Sequence, residues 1–152
     1  TTLHTNDAPS AMTRLVDMGI EPYLLSSSLL GILAQRLVRK ICKHCITPYA
    51  PSKEELKNLN ISSKDLKDGL LYKGKGCSHC NDSGYRGRYG IYELMPCSHN
   101  LKRLIAAGAD TLEIKQQAQK EGMIPLQKSG ISLVCQGITT GQEVLRVSRS
   151  IE

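Results

Sequence analysis

Apolar residues recur at helical spacing near the start of the chain. Ala8, Met12, Leu15 and Val16 would share one face, and Asn6-Asp7-Ala8-Pro9 supplies a capping side chain and a first-turn proline. Gly19 closes that helix, and residues 1–5 before it read as the end of a strand. Pro22 opens a second helix with Leu25, Leu29, Ile32 and Leu33 on one face, ending near Arg36. Leu37-Val38-Arg39-Lys40-Ile41 then predicts a short strand. Residues 46–76 are more polar. Ser52 with Glu55 predicts a capping box, and Leu56 and Leu59 give a short helix one buried face. A helical turn over 62–68 and strands over 69–72 and 89–95 follow.

From Ser98 the pattern is regularly helical. Ser98 caps a helix with Leu101, Leu104 and Ile105 inside, and Thr111 caps a second with Leu112, Lys115 and Ala118 in line. Pro125 opens a third carrying Leu126, Leu133 and Val134. Thr140 with Glu143 boxes a fourth carrying Val144, Leu145 and Val147. Four short capped helices predict a small helical bundle.

Composition narrows the picture. Phe and Trp are absent, so the core must be built from Leu, Ile, Val and Met. The N-terminus has no secretory n-region or h-region, and no apolar run approaches a membrane span. The cytoplasm is the expected compartment. The opening Thr1-Thr2-Leu3-His4, without methionine, reads as an interior piece of a longer protein. The formal charge is +6, with a modest basic bias before residue 96. That bias suits acidic lipid, nucleic acid or an acidic protein, or simply a solvated exterior.

The chemistry lies in two cysteine pairs, Cys42-Lys43-His44-Cys45 and Cys77-Ser78-His79-Cys80. A two-residue gap lets both sulfurs of a pair face one point while the backbone turns beneath. Two such knuckles supply the four thiolates of a structural zinc. Two disulfides or free thiols are the alternative, and a reducing compartment disfavours disulfides. His44 and His79 lie inside the knuckles and are expected to point outward. Cys97 and Cys135 lack paired spacing and read as buried apolar cysteines. Metal would also order a segment whose own core is small.

Longer stretches carry a resemblance. Thr2-Leu3-His4-Thr5-Asn6-Asp7-Ala8 resembles the His box of the secretion ATPases that drive type II secretion and type IV pilus assembly. Leu33-Ala34-Gln35-Arg36-Leu37-Val38-Arg39-Lys40-Ile41-Cys42 resembles the stretch that follows it in that family. Gly84-Tyr85-Arg86-Gly87-Arg88-Tyr89-Gly90-Ile91-Tyr92-Glu93-Leu94 resembles the segment after the family's tetracysteine site. Gly122-Met123, Leu126, and Gly137-Ile138-Thr139-Thr140 to Glu143-Val144-Leu145-Arg146 resemble its C-terminal helical region. The resemblance runs in order over essentially the whole chain.

The resemblance implies an α+β, mainly α, chain in three parts. Residues 1–41 would be the tail of a RecA-like α/β ATPase core, 42–96 a tetracysteine zinc module, and 97–152 the helical bundle. It implies a homo-hexameric motor on the cytoplasmic face of the inner membrane, using ATP and Mg²⁺ and working with inner-membrane platform and assembly proteins. Cys42, Cys45, Cys77 and Cys80 would hold Zn²⁺. His4 would sense the γ-phosphate. No G-x-x-x-x-G-K-[ST] occurs, so the chain by itself is expected not to hydrolyse ATP.

Two other classes compete. A zinc-ribbon nucleic-acid module would suit the charge and the knuckles, but aromatic residues are few and the basic residues do not gather on one face; nucleic acid is not an expected partner. A chaperone-like cysteine-rich module needs more repeats than two, and the His box has no place in it. Arg86 and Arg88 either offset the −2 charge of a zinc-thiolate cluster or meet a neighbouring subunit or partner. Gln35 and Arg36 are expected to brace the core or an interface.

Overall fold

The structure, a computed structural model, describes residues 2–148; residue 1 and residues 149–152, which the expected first and last parts include, lie outside the described residues. Helices and strands are mixed. The order is α1 (Ala8–Asp17), α2 (Pro22–Ser28), β1 (Gly31–Ile41), β2 (Ile46–Tyr49), α3 (Lys53–Leu59), β3 (Leu71–Gly74), β4 (Tyr85–Pro96), α4 (His99–Ala106), α5 (Thr111–Lys120), α6 (Leu126–Cys135) and α7 (Gly141–Ser148). Short 3₁₀ turns occupy 63–65, 67–69 and 78–80. β1 pairs with β4. β2 pairs antiparallel with β3, from Ile46 opposite Gly74 to Tyr49 opposite Leu71.

The chain forms two compact units. One holds Thr1–Gln35 and Tyr92–Leu126, the other Arg36–Ile91 and Gln127–Glu152. The four C-terminal helices are divided between them, α4 and α5 in the first unit and nearly all of α6 with α7 in the second.

The first unit is built on Ala8, Met12, Leu15, Leu25, Met95, Leu101, Ile105, Ile114, Ala118 and Met123. Methionines fill the space that large aromatics usually take, as their flexible thioethers allow. Asp7 caps α1 by accepting the Ser10 N–H at 3.0 Å. In the second unit, Val38, Leu59, Leu71, Ile91, Val134 and Val144 are all at most 1% exposed.

Several local expectations change. Residues 2–5 are irregular, not a strand. The second helix stops at Ser28, and 31–41 is one long strand. Ser26, Ser27 and Ser28 turn their hydroxyls back onto the Tyr23 and Leu24 carbonyls, which competes with helix continuation. Pairing with β4 then sets a period of two, so Leu33, placed inside by helical spacing, is 59% exposed. Val16 and Leu112 are likewise exposed, and α5 buries Ile114 and Ala118 instead. Asp110, not Thr111, caps α5 through the Glu113 N–H. Ser52 does cap α3, but the Glu55 carboxylate accepts from the Tyr49 hydroxyl at 2.6 Å.

Candidate metal centre

Four chain segments of the second unit converge on the cysteines. β1 ends at Ile41 and delivers Cys42, which is buried; the chain then turns so that the Cys45 N–H reaches the Cys42 carbonyl at 3.2 Å. The second knuckle repeats this, with the Cys80 N–H on the Cys77 carbonyl at 3.1 Å. Asn81 and Asp82 follow in the left-handed conformation, at φ 49° and 57°, and reverse the chain. Both residue types tolerate that region better than most.

Cross-knuckle backbone bonds fix the two halves to each other. The Lys75 N–H donates to the Cys45 carbonyl at 3.0 Å, continuing the β2–β3 pairing. The Cys42 N–H donates to the Gly84 carbonyl at 2.9 Å. Gly74 and Gly84 pass so closely that a Cβ on Gly84 would lie 2.7 Å from the Gly74 carbonyl oxygen.

The four sulfurs all lie within 4.8 Å of one another. Cys42 to Cys77 is 3.9 Å, Cys45 to Cys80 3.9 Å, and Cys77 to Cys80 3.7 Å. A Zn–S bond of about 2.3 Å in a tetrahedron puts its sulfurs about 3.8 Å apart. Disulfide sulfurs sit at about 2.05 Å, so this spacing suits a shared cation and not two bridges. Four sulfur donors fit zinc.

The remaining expected residues are placed as follows. His44 and His79 are exposed and outside the sulfur cluster, and their rings stack at 4.0 Å with an interplanar angle of 12°. That cross-knuckle stack was not expected. Cys97 and Cys135 are partly and not fully buried, and burial raises both thiols above their ordinary value. Arg86 and Arg88 are exposed. Gln35 donates to the Tyr92 hydroxyl at 3.3 Å. His4 belongs to the first unit, exposed in the irregular segment just before α1.

Comparison with known proteins settles the family. The model of the type II/IV secretion system protein family matches residues 1–146. The chain belongs to that family. It is 46% identical over 151 residues to the type IV pilus assembly ATPase PilB of Thermus thermophilus, covering 99% of this chain and 17% of the relative. It is 47% identical over 150 residues to the type II secretion system ATPase E of Vibrio cholerae, covering 97% of this chain and 29% of the relative. The type IV pilus assembly ATPase TfpB of Acinetobacter baylyi is 44% identical over 146 residues, with 96% of this chain and 25% of the relative covered. The chain thus spans 17–29% of the length of these secretion and pilus ATPases.

The sulfurs of this family member shift one another's titration in opposite directions. Burial, reinforced by the three neighbouring sulfurs, pushes the Cys45 thiol up to about 11. Burial would raise Cys80 as well, yet the N–H groups of Cys77 and Gly84 bring it down to about 7. Four thiolates at this spacing repel one another, and a divalent cation removes that repulsion as it displaces the protons.

Two buried carboxylates were missed in the sequence. Glu93 and Glu143 are each 1% exposed. Glu93 falls in phase with Ile91 and Met95 on the inward side of β4, a period-two signal that was available. The spacing of Thr140 and Glu143 predicts a capping box. Glu143 does follow the Thr140 cap, which takes the Glu143 N–H at 3.3 Å, but its carboxylate meets Arg39 and Arg146.

Proposed function

We propose that this chain is the part of a hexameric secretion or pilus-assembly ATPase that carries the His box and a structural zinc module. The observation that carries the reading is the group of four sulfurs within 4.8 Å of one another, in a chain whose relatives are named as secretion and pilus ATPases. Along the chain, 1–41 closes the RecA-like core, 42–96 carries Zn²⁺ on Cys42, Cys45, Cys77 and Cys80, and 97–152 is the C-terminal helical part. The two contact units cut across that division. In the intact protein ATP and Mg²⁺ bind beside His4, six copies assemble, and the motor works against inner-membrane platform and assembly proteins on the cytoplasmic face.

The zinc's contribution is order. Metal binding to four thiolates in small zinc peptides is worth on the order of 10–16 kcal/mol, ample to hold two knuckles whose surroundings bury few large side chains. His4 contributes the chemistry: an exposed imidazole in a segment free of strand or helix pairing can donate to a γ-phosphate oxygen that ADP lacks.

In the intact ATPase, His4→Ala is expected to lower kcat by roughly 10²–10³-fold, the effect of losing one well-placed donor, with ATP affinity little changed. Zinc content should be unaffected. Steady-state kinetics beside an ATP titration decide the matter: lost binding with preserved kcat would overturn the sensor role. The 152-residue chain alone should show no turnover above background.

A further inference from the structure

Glu93 is a buried carboxylate with no part in the metal centre. Its Oε1 accepts the Ala8 N–H at 2.7 Å and its Oε2 accepts the Leu126 N–H at 3.1 Å. Ala8 is the first residue of α1, and Leu126 is the first residue of α6. The first N–H groups of a helix have no partner within it, and the helix start is electropositive. One carboxylate thus serves two helix starts, which gives both oxygens of a side chain that is 1% exposed a hydrogen-bond partner.

The consequence reaches His4. We infer that Glu93 is a positioning residue for His4: it clamps the first turn of α1, at the last residue of the His-box stretch, from a strand 85 residues downstream. The inference rests on the sensor role proposed above for His4. The segment between them is held at both ends. Leu3 packs against the core of the first unit, and Ala8 is fully buried on Glu93. Between them, Asp7 caps Ser10 and meets Lys115 Nζ at 3.0 Å, while the Thr5 hydroxyl donates to the Asp7 carbonyl at 3.2 Å. His4 and Asn6 are the exposed side chains of this pinned segment. A donor displaced by about 1 Å from its acceptor can lose on the order of 10²-fold in rate. Lys115 and Asp7 act on the cap alone, whereas Glu93 anchors the helix start to the buried strand.

A carboxylate is required because both oxygens accept. Glutamine keeps the shape but turns an NH₂ toward one of the two N–H donors. In the intact ATPase, Glu93→Gln should lower kcat at least tenfold while ATP affinity stays within about twofold, the split expected of a misplaced sensor. The double variant His4→Ala/Glu93→Gln should be no slower than His4→Ala, because the second change has nothing left to position. Wild-type kcat in Glu93→Gln, or additive losses in the double variant, would overturn the inference while leaving the role of His4 intact. An unchanged kcat in His4→Ala would bring down the sensor role and this inference together. A measurement on the unaltered 152-residue chain guards against a variant that fails to fold: the Ala8 and Leu126 amides should both be protected from hydrogen exchange. Rapid exchange at Ala8 would overturn the clamp.

Discussion

Arg39 and Glu143 meet at 2.6 Å, with the carboxylate 1% exposed and the guanidinium half exposed. The Arg39 backbone N–H donates to the same carboxylate at 3.1 Å, and Arg146 adds two further bonds at 3.0 Å. The Arg39 guanidinium also lies over the Tyr85 ring, 4.3 Å from its centre, and the Thr139 hydroxyl donates to the Arg39 carbonyl at 2.8 Å. β1, β4 and the start of α7 are thus joined through one buried anion in the second unit.

Glu143→Gln should therefore destabilise the second unit by about 2 kcal/mol, the scale of lost charge-assisted hydrogen bonds. The cost stays moderate because both arginines left behind can reach water. The pH dependence follows from the same contacts. Burial would raise the Glu143 carboxyl, but the bonds from Arg39 and Arg146 hold it at about 2. An unfolded glutamate titrates near about 4.3. Its stabilisation is complete above that value and is lost as pH falls from about 4 through about 2. Urea unfolding at pH 7 and at pH 3 should show the wild type losing its advantage over Glu143→Gln at the lower pH.

Purified chain should carry about one zinc ion per molecule. Chelation, or Cys45→Ser, should expose the amides of Lys75 and Cys42, whose partners are the Cys45 and Gly84 carbonyls. The first unit, with its own core on Met12, Met95 and Leu101, should keep its protection. Acid should release the metal as protons compete for the thiolates. Metal analysis with hydrogen exchange reads both, and a folded, metal-free chain with protected knuckles would contradict the assignment.

Gly74→Ala should cost more than Gly19→Ala, although the backbone angles alone suggest the reverse. Gly19 has φ 89° but nothing within reach of a Cβ, so its cost is the conformational one of about 1 kcal/mol. Gly74 is not among the positive-φ glycines, yet its Cβ would overlap the Gly84 carbonyl. That carbonyl also receives the Cys42 N–H, so displacing it disturbs one of the proposed zinc ligands. Zinc retention under competing chelator should fall in Gly74→Ala and stay unchanged in Gly19→Ala.

Local chemistry was legible in the amino-acid order by itself. The spacing of Cys42, Cys45, Cys77 and Cys80 anticipated the cluster of sulfurs, because a two-residue gap sets where a knuckle's sulfurs point. The starts of α2 at Pro22 and α4 after Ser98 were equally readable, since a first-turn proline and a capping side chain both act within one turn. Tertiary pairing decided the rest. Residues 31–36 suit a helix by apolar spacing and became strand because β4 offered a ladder. Thr140 and Glu143 have the spacing of a capping box, yet Arg39, 104 residues away, takes the carboxylate. Glu93 looked like one acidic residue in an apolar strand, and its role depends on Ala8 and Leu126, which only folding brings to it. Short-range hydrogen bonds leave their mark in neighbouring residues; a buried charge finds partners that sequence distance does not reveal.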